Sequence, residues 1–184
     1  MKLSIVTTLY NSENYIIDFH KRASIVAQKI AEDDFEIIFV NDGSPDRSLD
    51  LAVKLTTNYS NVTVIDLSRN FGHHKAMMTG LSHASGELIF LIDSDLEEDP
   101  EWLIDFNNQM KKDQCDMIFG VQDNRRGNIF ERITGSLFYK FFRILTNVNQ
   151  PDNIVTARLM TQRYVKALVS HEEREINIGG LWIS

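Results

Sequence analysis

Apolar residues in this chain fall into two alternating rhythms. Short, mostly apolar runs at residues 3–7, 36–40, 62–67, 88–92 and 117–121 are rich in Ile, Val, Leu and Phe. Their length and composition predict buried strands. Between them lie segments with helical spacing. Residues 13–31 carry Ile16, Ile17, Ala23, Ile25 and Val26 among charges. Ser44-Pro45-Asp46 opens a second helix through Leu49, Leu51, Ala52 and Leu55, because Ser suits a cap and Pro the first helical position. Residues 72–84 and 100–112 continue the alternation. The run 88–92 is wholly apolar, as a central parallel strand should be. Strand–helix alternation at this pitch predicts an α/β fold, a Rossmann-like, mostly parallel sheet with helices on both faces. Past residue 128 the pattern changes to an aromatic-rich helical stretch, and beyond 150 no element is assigned.

Ligands of such sheets bind beyond the carboxyl ends of the strands, so the polar stretches there hold the candidate chemistry. Asp93-Ser94-Asp95 follows the central strand, with Glu97, Glu98 and Asp99 next. Five acids this close repel one another, and Mg²⁺ or Mn²⁺ would compensate them. The alternative is an acidic turn ahead of the helix at Pro100. In Asn41-Asp42-Gly43-Ser44, Gly permits a turn and Asp42 can accept hydrogen bonds from a ribose or base; the alternative is a plain turn. Arg69-Asn70-Phe71-Gly72-His73-His74-Lys75 can bring Arg69 and Lys75 towards phosphates. His73 and His74 are neighbours about 100° apart on a helix, a poor pair for one transition metal. Cys115 reads as a small core residue. No dinucleotide fingerprint and no P-loop is present.

Composition narrows the partners. The chain has 184 residues, one domain's worth, with 19 Lys plus Arg against 26 Asp plus Glu, a net charge of −7. That field disfavours nucleic acid. One Cys cannot form an internal disulfide. The run 88–92 is far short of the about twenty apolar residues of a membrane span, and the N-terminus lacks a signal-peptide stretch. The expectation is a cytoplasmic domain. Residues 129–145 gather Ile129, Phe130, Ile133, Leu137, Phe138, Phe141, Phe142 and Leu145 on one helical face, with Arg132, Lys140 and Arg143. Such a helix either packs on the core or lies in a membrane interface.

Four stretches together resemble the family 2 glycosyltransferases, which use the GT-A fold. They are Ser4-Ile5-Val6-Thr7-Thr8-Leu9-Tyr10-Asn11, residues 36–44 ending in Asp42-Gly43-Ser44, Leu67-Ser68-Arg69-Asn70-Phe71-Gly72, and Asp93-Ser94-Asp95-Leu96. With Arg158-Leu159-Met160 they look most like the branch of dolichyl-phosphate mannose synthases and bacterial polyprenyl-phosphate glycosyltransferases. The resemblance implies a nucleotide-sugar donor of UDP or GDP type and a lipid-linked or glycan acceptor. It implies an inverting, metal-dependent transfer in cell-envelope glycan synthesis. Thr8, Tyr10, Glu13, Asp42, Arg69 and Lys75 would hold the nucleotide. Asp93 and Asp95 would be the catalytic acids and hold Mg²⁺ or Mn²⁺, with Glu97 as a third ligand. Residues 1–121 would form the donor part of a single domain spanning 1–184, and 122–184 the acceptor part. Residues 129–145 would then lie against the inner face of the cell membrane. Thr156 stands where the branch carries an Asp, which leaves Asp152, Asp123, Glu172 and Glu173 as candidate bases. It also motivates a non-catalytic nucleotide-sugar-binding module as the alternative. Nucleotidyl transfer is the weaker alternative, because residues 8–13 hold neither Gly nor Lys. Chains of this branch commonly continue past the apolar end at 179–184, so a longer protein is expected.

Overall fold

The structure, a computed structural model, describes residues 2–121 and 154–170. In chain order it contains β1 (Leu3–Leu9), α1 (Ile16–Ala31), β2 (Phe35–Asn41), α2 (Ser48–Asn58), β3 (Val62–Asp66) and α3 (His73–His83). These are followed by β4 (Leu88–Leu91), α4 (Trp102–Asp113), β5 (Met117–Val121), β6 (Ile154–Thr161) and α5 (Gln162–Val169). The strands form a six-stranded sheet in the order β3-β2-β1-β4-β6-β5. β1 pairs in parallel with β2 and β4, and β2 with β3. β6 runs antiparallel to both β4 and β5.

Strand periodicity explains why the central runs are apolar at nearly every position. Ile5, Ile37, Phe39 and Phe90 pack with α1, α2 and α4 on one face. Val6, Ile38, Val40 and Ile89 pack with α3 and α5 on the other. Helices covering both faces remove the need for a polar side. Phe19 of α1 meets Phe39 edge-on at 6.0 Å between ring centroids, a favoured aromatic geometry.

Two sequence expectations shift. α2 begins at Ser48 rather than at Ser44-Pro45-Asp46. Asp46 takes the capping role: its Oδ1 accepts from the Ser48 amide at 3.0 Å and from Ser44 Oγ at 2.6 Å. These bonds pull its pKa down to about 2 against the opposing effect of burial. Strand β6 is the second. Its sequence breaks the apolar pattern with Arg158, which is nevertheless buried (6% exposed). It is accommodated because Nε donates to the Thr156 carbonyl at 2.8 Å and Nη2 to that of Val155 at 3.0 Å.

At the amino edge of the sheet Glu36 ties β2 to β1 and to the turn that leads into β4. Its Oε1 accepts from Ser4 Oγ at 2.6 Å, the Ser85 amide at 2.8 Å and Ser85 Oγ at 2.7 Å. No helix among the described residues is long and apolar enough to cross a membrane. Residues 129–145, and with them Asp123, Asp152, Glu172 and Glu173, lie outside the described residues.

Candidate functional site

At the carboxyl edge, four loops meet. Asp42, just past β2, is 3% exposed. Its Oδ1 accepts from the Phe71 amide at 2.7 Å and its Oδ2 from the Gly72 amide at 3.1 Å. Gly43 lies at φ +63°, and a Cβ there would stand 2.5 Å from the Asn70 nitrogen. The turn after β2 therefore clasps the loop after β3 so closely that only glycine fits. The clasp leaves a cavity of about 240 Å³ lined by Thr8, Tyr10, Asp42, Asn70 and His73.

Of the residues expected to hold the nucleotide, Thr8, Tyr10 and Asp42 line this cavity. Asp42 does so with both carboxylate oxygens already engaged by backbone amides. Glu13 is not among the lining residues: its Oε2 accepts from the Arg47 amide at 3.2 Å at the start of α2. Arg69 is exposed, its guanidinium stacked 4.7 Å from the centre of the Phe71 ring. Lys75 is exposed on the first turn of α3.

The five acids after β4 divide among different partners. Asp93 is half-buried, and burial raises its pKa. His73, the nearby Thr156 hydroxyl and Arg158 oppose that rise, while Asp95 adds to it. His73 bridges two loops, with Nδ1 3.1 Å from Thr8 Oγ1 and Nε2 3.4 Å from Asp93 Oδ1. Asp95 is exposed, and its Oδ1 accepts from the Glu97 amide at 3.0 Å. Leu96 takes φ +61°, a left-handed conformation uncommon for a side chain this large. It breaks the run, so that Glu97 faces solvent and Glu98 is buried. Asp99 leaves the group to pair with Arg22 at 2.6 Å.

Glu98 is the least expected member. Its Oε1 accepts from the Thr156 amide at 2.7 Å, while Oε2 is buried with no hydrogen-bond partner among the described residues. Burial first, then Asp93, push its pKa up to about 7, against the amides of Thr156 and Ala157. Arg158, close enough to act on Glu98 and Asp93, has its own pKa lowered to about 10 by burial.

No three His, Cys, Asp or Glu side chains among the described residues form a ready metal cage. Asp93, Asp95 and Glu97 are therefore not gathered as the three-ligand set anticipated from the sequence. The residues still fit a divalent cation of the Mg²⁺ or Mn²⁺ kind. Such ions are held by one or two carboxylates with phosphate oxygens completing the shell. The surplus of negative charge at Asp93, Asp95 and Glu98 is what a cation would relieve. Sequence reasoning missed Glu98 and His73. Both stood in stretches already singled out, but nothing in a linear run of acids or histidines tells which member turns inward.

The family model for glycosyl transferase family 2 matches residues 4–169. A relative from Mycobacterium tuberculosis, named simply as a glycosyltransferase, is 50% identical over 99% of this chain and 53% of its own length. The bactoprenol glucosyl transferase of Shigella phage SfV is 30% identical over 100% of this chain and 60% of its own. The chain thus spans just over half the length of these relatives. Among solved structures, the mannosyltransferase PcManGT from Pyrobaculum calidifontis, in complex with GDP-Man and Mn²⁺, superimposes with a TM-score of 0.64 at 17% identity. That match covers 91% of this chain and 46% of the other.

Proposed function

The chain belongs to glycosyl transferase family 2, and from that premise we propose that it moves a sugar from a nucleoside-diphosphate sugar to a polyprenyl-phosphate acceptor, with inversion at the anomeric carbon. The observation that carries this reading is the meeting of the Thr8, Tyr10, Asp42 and His73 cavity with the over-charged Asp93–Asp95 loop on one sheet edge. A nucleoside fits the first and the diphosphate of the same donor the second. Asp93 and Asp95 would hold Mg²⁺ or Mn²⁺. When bound, the cation neutralises charge on the departing diphosphate.

In the transfer, an acceptor oxygen forms a bond to the anomeric carbon as that carbon's bond to the nucleoside diphosphate breaks. A neutral hydroxyl acceptor must lose a proton and needs a general base. A phosphate monoester is already ionised at neutral pH and does not. Position 156, a hydrogen-bonding threonine rather than an acid, suits the second kind of acceptor. The bactoprenol glucosyl transferase relative supports the same choice. The exposed ring of Tyr10 (52% exposed) offers a face for the base, and Arg69 and Lys75 supply positive charge beside the phosphates. Association with the inner membrane face through residues 129–145 follows from a lipid-linked acceptor.

The test is transfer from UDP-glucose, UDP-GlcNAc and GDP-mannose to undecaprenyl phosphate and, in a parallel arm, to the hydroxyl acceptor undecaprenol, in detergent, with Mn²⁺ or with EDTA. Metal-dependent formation of a glycosyl phospholipid from one donor is expected. Metal-dependent transfer to a hydroxyl acceptor alone would replace the acceptor assignment, and no transfer in any arm would remove the reading.

A further inference from the structure

His73 is the first residue of α3, and its place is fixed from both sides. Ahead of it, the Asp42 carboxylate accepts from the Phe71 amide at 2.7 Å and the Gly72 amide at 3.1 Å. Further along α3, Gly80 lets the helix sit so close to the sheet that a Cβ there would stand 2.5 Å from Val6 Cγ1. From this anchored start the imidazole spans the gap between β1 and the loop after β4. Nδ1 lies 3.1 Å from Thr8 Oγ1, and Nε2 lies 3.4 Å from Asp93 Oδ1. An ionised carboxylate only accepts, whereas a hydroxyl donates or accepts. The ring form with its proton on Nε2 therefore suits both neighbours, with the Thr8 hydroxyl donating to Nδ1.

We propose that His73 is a positioning residue for Asp93. Thr8 fixes the ring through Nδ1, and the Nε2 side holds the Asp93 carboxylate in the aim that a divalent cation requires. This rests on the cation reading given under Proposed function. Asp95 and Glu98 repel the Asp93 carboxylate, so its aim needs a donor from outside the acidic loop. Groups that orient a metal-binding carboxylate matter nearly as much as the ligands themselves. Thr8 also lines the nucleoside cavity, so one ring joins the two halves of the donor site. His74 takes no part in this. It points about 100° away around the helix, its ring centre 6.1 Å from that of His73, and it serves as the control.

Two measurements test this on the whole chain. The first is the Mn²⁺ dissociation constant by electron paramagnetic resonance, with UDP or GDP present, for the native protein, His73→Phe, His73→Gln and His74→Gln. Phenylalanine keeps a flat ring and removes both nitrogens; glutamine keeps an N–H donor near the place of Nε2. A loss of about 10–100-fold in His73→Phe, largely restored in His73→Gln and absent in His74→Gln, is expected. Equal Mn²⁺ affinity in His73→Phe and native protein overturns the proposal, and so does an equal loss in His73→Phe and His74→Gln. The second is a double-mutant cycle in metal-free protein, comparing melting temperatures of Thr8→Val, His73→Phe and the combined variant. The combined variant should lose less than the sum of the two, since both residues share one bond. Strict additivity overturns the link from Thr8 to the ring whatever the metal does. Coupling in the cycle together with no Mn²⁺ binding by native protein would instead overturn the cation reading, and with it the functional half of this proposal.

Discussion

Glu36 and Glu98 are the same residue type at opposite ends of one sheet, and their surroundings have opposite effects. At the amino edge, Glu36 accepts three hydrogen bonds from Ser4 and Ser85 and lies 3.9 Å from Lys2 Nζ. Burial pushes its pKa up, yet the hydrogen bonds and Lys2 win, and the net shift is downward. At the carboxyl edge, Glu98 has one oxygen on the Thr156 amide and the other without a hydrogen-bond partner among the described residues, with Asp93, Asp95 and Arg158 nearby. Its pKa rises to about 7. One end has its charge matched by donors and serves stability. The other gathers Asp93, Asp95 and Glu98 near the buried guanidinium of Arg158, an excess of acid side chains that a fold retains where a ligand completes it.

The largest effect that separates the two ends is on turnover. Asp95→Asn should lower kcat by roughly 100–1,000-fold, the scale of losing one electrostatic element aimed at the developing charge. Its melting temperature should hold or rise, because one member of a repelling group is gone. Steady-state kinetics and thermal unfolding on one preparation check this, and full activity would return the acidic loop to a plain turn.

Glu98→Gln is next. A carboxyl with a folded pKa near 7 against an ordinary 4.5 binds its proton more tightly in the native state. Its destabilising contribution is therefore fully present above pH 7 and is relieved as pH falls towards 4.5. Glutamine can still accept from the Thr156 amide and carries no charge. In metal-free protein at pH 8, Glu98→Gln should be more stable than native by up to about 3 kcal/mol, with the difference closing near pH 5. Urea unfolding across that range measures it; a gap independent of pH would mean Glu98 is not held as described.

Glu36→Ala should show the opposite signature. It leaves the Ser4 and Ser85 donors without their acceptor and should cost about 2 kcal/mol, or roughly 4–8 °C in Tm. Transfer rates per folded molecule should stay unchanged. For Glu36 the lowered pKa makes its contribution present above the unfolded value and lost as acid protonates it.

The smallest effect concerns Arg69. Its stacking on Phe71 is exposed, so Arg69→Ala should weaken nucleotide binding by about 0.5–1 kcal/mol with little change in stability. Titration calorimetry would show it, and a loss tenfold larger than this would mean that Arg69 is buried against the donor on binding.

The first four strands and the helices between them were legible because a parallel sheet covered on both faces makes each strand a continuous apolar run. β6 was not, since Thr156 and Arg158 interrupt its pattern and become tolerable only through bonds to carbonyls and carboxylates formed in three dimensions. The start of α2 was misplaced because Ser44 and Asp46 are both capping residues, and tertiary contacts with residues 11–13 decide between them. In the acidic loop, Asp93 and Asp95 could be singled out by their place after a central strand. The resemblance points to Glu97, and that Glu98 is the buried member depends on a left-handed turn at Leu96 that a regular run does not announce. His73 was weighed only as half of a metal pair with His74. Its observed place between Thr8 and Asp93 depends on where α3 begins relative to β1 and β4.

The most direct measurement is the melting temperature of the native chain and of Asp95→Asn at pH 7.5, with UDP, GDP and their sugars, each with Mn²⁺ and with EDTA. Ligands that bind the native state raise apparent stability by mass action. The excess of acid side chains at the carboxyl edge should make at least one nucleotide stabilise the native chain strongly with Mn²⁺ and weakly with EDTA, and Asp95→Asn should lose the difference. Stabilisation by a nucleotide to the same degree in Mn²⁺ and EDTA, unchanged in Asp95→Asn, would contradict the assignment of the acidic loop to a cation and its diphosphate.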